Sequence, residues 1–201
     1  METNEELVDY LRREGVLKTP RIIEAFRAVD RKRFVQHANQ AYSDQALPIG
    51  WDQTISQPRV VAFMLELLQP LPKEKILDIG SGSGYTTALL AHIVGVQGRV
   101  IGVERVPELV SFGWRNVEGM YPEQAEIRQA GQALGLPEEA PFDRILVSAA
   151  AKQIPEEVVS QLTHTGVLVL PVNDSVVKLT KNAQGNYAVQ EHKGFRFVPL
   201  V

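Results

Sequence analysis

Three alternating glycines, Gly80, Gly82 and Gly84, directly follow a short apolar run that ends in Asp78 and Ile79. Glycine lets a backbone approach a ligand closely, and parallel α/β sheets bind their ligands at the carboxyl ends of strands. The loop therefore favours a nucleotide-like cofactor site over a tight turn without a ligand. Asp78 suits a cationic or amine-bearing ligand better than a pyrophosphate, although capping of nearby backbone amides is an alternative role.

The spacing around this loop distinguishes between classes of cofactor. The dehydrogenase pattern G-x-G-x-x-G would need glycine at position 85, which is tyrosine, and no Gly-Lys-Ser/Thr follows as in a phosphate-binding P-loop. Glu104 lies at the end of the next predicted strand. A carboxylate there can accept hydrogen bonds from both ribose hydroxyls of an adenosine cofactor. The alternative role for Glu104 is a solvated charge at the end of a strand.

The string D-I-G-S-G-S-G at residues 78–84, together with Glu104, resembles the cofactor site of class I methyltransferases. This resemblance implies S-adenosylmethionine as the cofactor and says nothing about the acceptor. We expect Asp78 and Gly84, at the two ends of the loop, to contact the cofactor as well.

From residue 75 onward, strand-like segments alternate with helix-like ones. The predicted strands are 75–80, 99–104, 125–130 and 143–149, and the predicted helices between and after them are 85–94, 107–120 and 155–162. Such alternation indicates a mostly parallel sheet, and the strand-rich tail indicates antiparallel strands at the C-terminal end. We therefore predict a doubly wound, Rossmann-like α/β fold with helices on both faces of the sheet.

The N-terminal part is predicted to contain helices and one long loop. A capping-box pattern that begins at Thr3 opens the first helix, and Thr19 is a candidate N-cap for the second. Composition indicates a polar loop over residues 42–57. Ser56, near its end, is a candidate N-cap for a helix over residues 58–68.

The acceptor is suggested by residues 42–58, YSDQALPIGWDQTISQP, which closely resemble the signature of protein-L-isoaspartate O-methyltransferases. Further segments that resemble this family are 15–35, 99–110, 137–151 and 197–200. The resemblance implies methyl transfer from S-adenosylmethionine to the side carboxylate of L-isoaspartyl residues in damaged proteins. The methyl ester then closes to a succinimide without further enzymatic help, which initiates repair.

The same resemblance implies roles for individual residues. The serine of the T-I-S string, here Ser56, matches the family's catalytic residue and adjoins the cofactor. The other matches, in the segment that lines cofactor and substrate or in the cofactor loop, are Gln53, Thr54, Ile55, Gly80, Ser83 and Glu104.

Methylation of a carboxylate needs few protein groups. A carboxylate with a pKa of about 4 is already ionised at pH 7, so no general base is required. Holding oxygen, methyl and sulfur in line can supply roughly 7–11 kcal/mol. The hydroxyl of Ser56 can orient one carboxylate oxygen while the other attacks, and this role is compatible with helix capping.

The chain departs from the family pattern at two places. Where the family usually has Gly-Asp-Gly, whose aspartate accepts a hydrogen bond from adenine, residues 130–132 are Ala-Gly-Gln. The amide of Gln132 or Gln129 could accept the same hydrogen bond. Asp52 stands where the signature commonly has glycine, so it could repel an acidic peptide.

Composition limits the remaining classes of function. The 201 residues predict one domain, with residues 1–57 as N-terminal helices and substrate-side segment and residues 58–201 as cofactor-binding core. A net charge of −3 argues against a nucleic-acid partner. The chain has no cysteine and four scattered histidines, so we expect no metal site. The absence of cysteine and a polar, acidic beginning unlike a signal peptide lead us to expect a cytoplasmic location, and the lack of a long apolar run predicts no membrane segment. We also expect a monomer.

Three functions remain in competition. The first is the repair enzyme, acting on flexible, damaged protein segments. The second is a methyltransferase of the same lineage with another carboxylate acceptor, and the third is a relative with weakened cofactor affinity and low activity. Ser56 and the segment 42–50 favour the first over the second, whereas the missing aspartate near residue 131 is the best argument for the third.

Overall fold

The computed structural model describes residues 1–200, which form an α/β structure. The helices are α1 (Asn4–Arg13), α2 (Pro20–Ala28), α3 (Pro58–Leu68), α4 (Tyr85–Val94), α5 (Pro107–Glu118) and α6 (Glu156–Val159). The strands are β1 (Leu47–Gly50), β2 (Gln53–Ile55), β3 (Lys75–Ile79), β4 (Arg99–Glu104), β5 (Ala125–Gln129), β6 (Phe142–Val147), β7 (Leu162–Val172), β8 (Ser175–Lys181) and β9 (Tyr187–Lys193).

A seven-stranded sheet has the order β5-β4-β3-β6-β7-β8-β9. The strands from β5 to β7 are parallel, and β8 and β9 add on as antiparallel strands. This confirms the predicted Rossmann-like fold with its antiparallel C-terminal end. Because β3 lies between β4 and β6, the direction of winding reverses there, and ligands of such sheets bind in the crevice at this point.

Two hydrophobic clusters cover the two faces of the sheet. One face packs against α3, α4 and α5, and α1 and α2 pack in turn on these helices, with Leu65 and Leu90 among the fully buried side chains of the cluster. The other face packs against α6, which contributes Val158 and Val159, and against the segment around Leu136. Both faces are therefore closed by apolar contacts, as expected for buried parallel strands.

Two of the predicted elements are wrong in part. The helix predicted over 155–162 is only the four-residue α6, because the chain turns into β7 at residue 162. The predicted loop 42–57 contains the antiparallel hairpin of β1 and β2. In this hairpin Leu47, Ile49 and Ile55 are buried, so alternate side chains supply the apolar face of a strand pair.

Two of the three predicted N-cap residues, Thr3 and Thr19, are confirmed, and the third is wrong. The Thr3 hydroxyl accepts a hydrogen bond from the Glu6 amide, as predicted. Thr19 is the N-cap residue of α2 with Pro20 directly after it, as predicted, but its hydroxyl donates to Glu66 at 2.6 Å and caps no amide of the helix. The N-cap of α3 is Gln57, without a side-chain cap, so the prediction that Ser56 caps this helix is wrong.

Candidate cofactor and acceptor site

The glycine-rich loop joins the end of β3 to the start of α4, at the point where the winding of the sheet reverses. Gly80, Gly82 and Gly84 have φ angles of 79°, 52° and 86°, a left-handed conformation that favours glycine. At Gly84 a Cβ atom would also lie only 2.8 Å from the carbonyl oxygen of Gly113 on α5. The loop therefore needs its glycines both for backbone conformation and for packing.

Helix α5 supports this loop from behind. A Cβ atom on Gly113 would lie 2.7 Å from the carbonyl oxygen of Gly82. The side-chain amide of Asn116 donates to the carbonyl oxygen of Ser83 at 2.9 Å. Sequence reasoning missed both α5 residues, although a glycine inside a helix, which lowers stability by roughly 0.5–1 kcal/mol, is a signal of close packing.

Asp78 lies fully buried beneath the loop. Its Oδ2 accepts hydrogen bonds from the hydroxyls of Thr86 and Thr87, both at 2.7 Å, while Oδ1 has no partner within residues 1–200. Burial raises the pKa of this carboxyl to about 6. Asp78 thus connects β3 to the first turn of α4 through these two hydrogen bonds. It is not among the described residues that line the cavity next to the loop.

Glu104 ends β4 and is only 8% exposed. Its Oε2 accepts a hydrogen bond from the Gly82 amide at 2.9 Å, and its Oε1 accepts from the amides of Arg105 and Val106 at 2.7 and 2.9 Å. Three backbone donors therefore fix this carboxylate next to the loop. Since a carboxylate offers about four lone-pair sites, capacity remains for a ribose hydroxyl.

The β1–β2 hairpin faces the glycine-rich loop across a cavity of about 300 Å³. The side chain of Ile49 is so near the loop that a Cβ atom on Gly82 would lie 3.2 Å from its Cδ1. Predicted site residues that line this cavity together are Gln53, Thr54, Ile55, Ser56, Gly80, Ser83 and Glu104. Asp78 and Gly84 are not brought into this lining and support the loop instead.

Residues 130–135 line the same cavity after the end of β5. Gln132 is exposed and belongs to the lining of the cavity. Gln129 does not belong to it, and its side-chain amide donates to the carbonyl oxygen of Arg105 at 2.5 Å. Of the two amides considered as substitutes for the missing aspartate, Gln132 is therefore the one at the cavity. Gly131 has no positive φ, and a Cβ atom there would meet nothing within 4 Å.

A second cavity, of about 270 Å³, adjoins the first at the hairpin. Both cavities share Thr54, Ser56, Ser148 and Val198, so Ser56 lies where they meet. The Ser56 hydroxyl makes no hydrogen bond to another residue within 1–200 and is free to donate to a ligand. Ser148, which follows β6 at the switch point, was missed by sequence reasoning, although the carboxyl end of a central parallel strand is a place to look.

The residues of the first cavity fit an adenosine cofactor. Gly80 and Gly82 leave backbone without side chains in the lining of the cavity, and the carboxylate of Glu104, held by the Gly82 amide, lies next to them. Within residues 1–200, no group of three His, Asp or Glu side chains is arranged to hold a metal ion. No helix in the same range is long and apolar enough to cross a membrane.

The sheet order, the glycine-rich loop at the carboxyl end of β3 and the glutamate at the end of β4 together define a class I methyltransferase fold and cofactor site. Residues 2–201 match the model of the family described as Protein-L-isoaspartate(D-aspartate) O-methyltransferase (PCMT). The chain belongs to this family.

Relatives of known name and structure agree with this assignment. A protein-L-isoaspartate O-methyltransferase from Methanopyrus kandleri is 41% identical over 204 residues, covering 98% of this chain and 90% of the relative. A protein of the same name from Triticum aestivum is 38% identical over 211 residues, covering 100% of this chain and 92% of the relative. A PCMT structure from Plasmodium falciparum in complex with S-adenosyl-L-homocysteine superposes with a TM-score of 0.88 at 28% identity, covering 99% of this chain and 98% of that chain.

Proposed function

We propose that this protein transfers the methyl group of S-adenosylmethionine to the side carboxylate of L-isoaspartyl residues in damaged proteins, as the first step of their repair. The observation that carries the proposal is the position of Ser56 at the junction of two cavities. One cavity faces the glycine-rich loop and Glu104, and the other opens beside Arg196. Membership of the PCMT family supports the isoaspartyl carboxylate as the acceptor.

The chain's own groups have three tasks in this reaction. When bound, S-adenosylmethionine supplies a methyl group on a sulfonium, which needs no acid to leave. Glu104 and the loop hold the nucleoside part, and the β1–β2 hairpin separates the reacting atoms from water. Ser56 donates a hydrogen bond to one oxygen of the acceptor carboxylate, so that the other oxygen attacks. The carboxylate is already ionised at pH 7, and the enzyme therefore needs positioning more than proton transfer.

The finer parts of the proposal concern substrate form and organisation. We propose that residues 1–57 form the substrate side and residues 58–201 the cofactor-binding core of one domain. We also propose a cytoplasmic monomer that does not act on nucleic acid. The substrate is a flexible segment of a damaged protein, because its carboxylate must pass between the hairpin and the C-terminal segment to reach Ser56. Asp78 and Gly84 support cofactor binding through the loop.

The decisive test compares two peptides that differ in one linkage. Transfer of a radiolabelled methyl group should occur to an isoaspartyl peptide and not to its aspartyl twin. Calorimetry should show binding of S-adenosylmethionine and S-adenosylhomocysteine and none of NAD. Equal labelling of both peptides would contradict the acceptor assignment, and comparable NAD binding would contradict the cofactor assignment.

One observation favours a second candidate, a relative of low cofactor affinity. The segment 130–132 lines the cavity without a carboxylate where the family has aspartate. A dissociation constant for S-adenosylhomocysteine in the millimolar range, together with no measurable transfer to the isoaspartyl peptide, would support this candidate over the repair enzyme.

A further inference from the structure

The side chains that line the second cavity suit an anionic ligand. Its lining contains the hydroxyls of Thr54, Ser56 and Ser148 and no acidic side chain among the described residues. Arg196 is the cation in that lining. A substrate carboxylate that approaches Ser56 through this cavity therefore passes a guanidinium before it meets the hydroxyl.

The backbone around Arg196 is anchored on both sides. Before it, the Phe195 amide donates to the carbonyl oxygen of Asp174 at 2.9 Å, and the Phe195 ring stacks on Phe63 with centroids 5.1 Å apart. After it, the carbonyl oxygen of Val198 accepts a hydrogen bond from the amide of Ala150 at 2.8 Å. The guanidinium thus extends from a fixed point of the cavity wall.

The guanidinium of Arg196 is also available. Within residues 1–200 no carboxylate lies within 4 Å of it, whereas Arg59 pairs with both Glu14 and Asp44 at 3.0 and 3.1 Å. Arg196 is exposed to solvent, so its donors are hydrated and can exchange water for a ligand. A guanidinium is planar and matches a carboxylate with two parallel hydrogen bonds.

We propose that Arg196 is a positioning residue that captures the isoaspartyl carboxylate at the mouth of the second cavity and guides it to Ser56. This inference rests on the proposed function. Each carboxylate oxygen has more than one lone pair, so an oxygen that accepts a hydrogen bond from the guanidinium can still attack the methyl group. Arg196 therefore stabilises the bound substrate and the transition state about equally, and its loss should raise KM while leaving kcat nearly unchanged.

The experiment compares Arg196→Met and Arg196→Lys with the control Lys193→Met. Lys193 is an exposed cation on β9 that does not line either cavity, so the control removes the same charge from the same region. We expect Arg196→Met to raise KM for an isoaspartyl peptide about tenfold, which corresponds to about 1.4 kcal/mol, with kcat within about twofold of the wild type. Arg196→Lys should fall in between, because it keeps the charge without the planar fork.

Two further readouts distinguish capture from a structural role. The dissociation constant for S-adenosylhomocysteine and the midpoint of thermal unfolding should not change in any of these variants. The rise of KM with salt concentration should be weaker in Arg196→Met than in the wild type and in Lys193→Met.

An unchanged KM in Arg196→Met, or a fall in kcat alone, would overturn the inference. An equal rise of KM in Lys193→Met would also overturn it, since general electrostatics would then explain the effect. Failure of the wild-type protein to methylate the isoaspartyl peptide would instead refute the proposed function. In that case calorimetric titration of the same peptide into the wild type and Arg196→Met, both saturated with S-adenosylhomocysteine, still tests the capture of the carboxylate, and equal affinities would refute it.

Discussion

The two sides of the site are built in different ways. On the cofactor side two buried carboxylates are already hydrogen-bonded within the chain, Asp78 through Oδ2 with two threonine hydroxyls and Glu104 with three amides. On the acceptor side Ser56 and Arg196 have no such partners within residues 1–200, and Trp51 at the tip of the hairpin is 49% exposed.

This difference follows from what each side must bind. A cofactor that is the same in every turnover is best met by groups whose geometry is fixed in advance. A repair enzyme meets many different peptides, so its acceptor groups must be free to bind a common carboxylate in varied surroundings. Substitutions on the cofactor side should therefore change stability or cofactor affinity, and those on the acceptor side should change turnover or KM.

Asp78 gives the largest expected effect on the cofactor side. Because burial raises the pKa of its carboxyl from 3.8 to about 6, the folded state binds the proton more tightly than the unfolded state. The stability that this group contributes is present below the unfolded pKa and is lost as the pH rises through about 6. The full shift corresponds to about 3 kcal/mol.

The measurement is the free energy of unfolding in urea at pH 4 and pH 7. Asp78→Asn should lack the loss of about 2 kcal/mol that Asp78 causes between these values in the wild type. A control at the exposed hairpin tip, Asp52→Asn, should keep the wild-type pH dependence. Parallel pH curves for Asp78→Asn and the wild type would show that Asp78 is not the buried titrating group.

Ser56→Ala should lower kcat well over tenfold, which is more than about 1.4 kcal/mol in the activation barrier. Neither the affinity for S-adenosylhomocysteine nor the free energy of unfolding should change, since the N-cap of α3 is Gln57 and the Ser56 hydroxyl caps no amide. Ser160→Ala, at an exposed position after α6, is the control and should have wild-type turnover. Normal turnover of Ser56→Ala would remove this serine from the mechanism.

Asn116→Ala tests the support that α5 gives to the glycine-rich loop. Loss of the hydrogen bond to Ser83 should weaken S-adenosylhomocysteine binding about five- to tenfold, since a neutral hydrogen bond contributes about 1 kcal/mol. At saturating cofactor, kcat should be nearly normal, because the reacting groups are untouched. Ser111→Ala lies on the same helix, away from the loop, and should bind the ligand as the wild type does. Equal affinity in both variants would mean that the loop does not depend on α5.

The smallest effect is expected at residues 131 and 132. Gly131→Asp should tighten S-adenosylhomocysteine binding several-fold, about 1 kcal/mol, because it restores a carboxylate where the backbone is unstrained and the space is open. Gln132→Ala should weaken binding by a similar factor if its amide replaces the missing acceptor. Unchanged calorimetric affinity in both variants would show that other groups, most simply of the backbone, bind the adenine.

Local sequence patterns predict much of the cofactor-binding core. The strand from residue 75, the loop 80–84 and the helix from residue 85 are contiguous, and each follows from its own residues. The β1–β2 hairpin was less visible, because its buried Leu47, Ile49 and Ile55 stand among polar and turn-forming residues. Its turn is made by Trp51 and Asp52, with φ angles of 51° and 55°, instead of the usual glycine or asparagine.

The sequence by itself determined the class of cofactor, because the glycine-rich loop is a single local segment and Glu104 lies on the next strand. Only the tertiary structure decided which residues support and complete the site. Asn116 reaches Ser83 because α5 packs behind the loop, and Arg196 shares a cavity with Ser56 because the C-terminal segment returns to the hairpin. Contacts between distant parts of the chain leave no periodic signal in the sequence, since they depend on how complete elements pack.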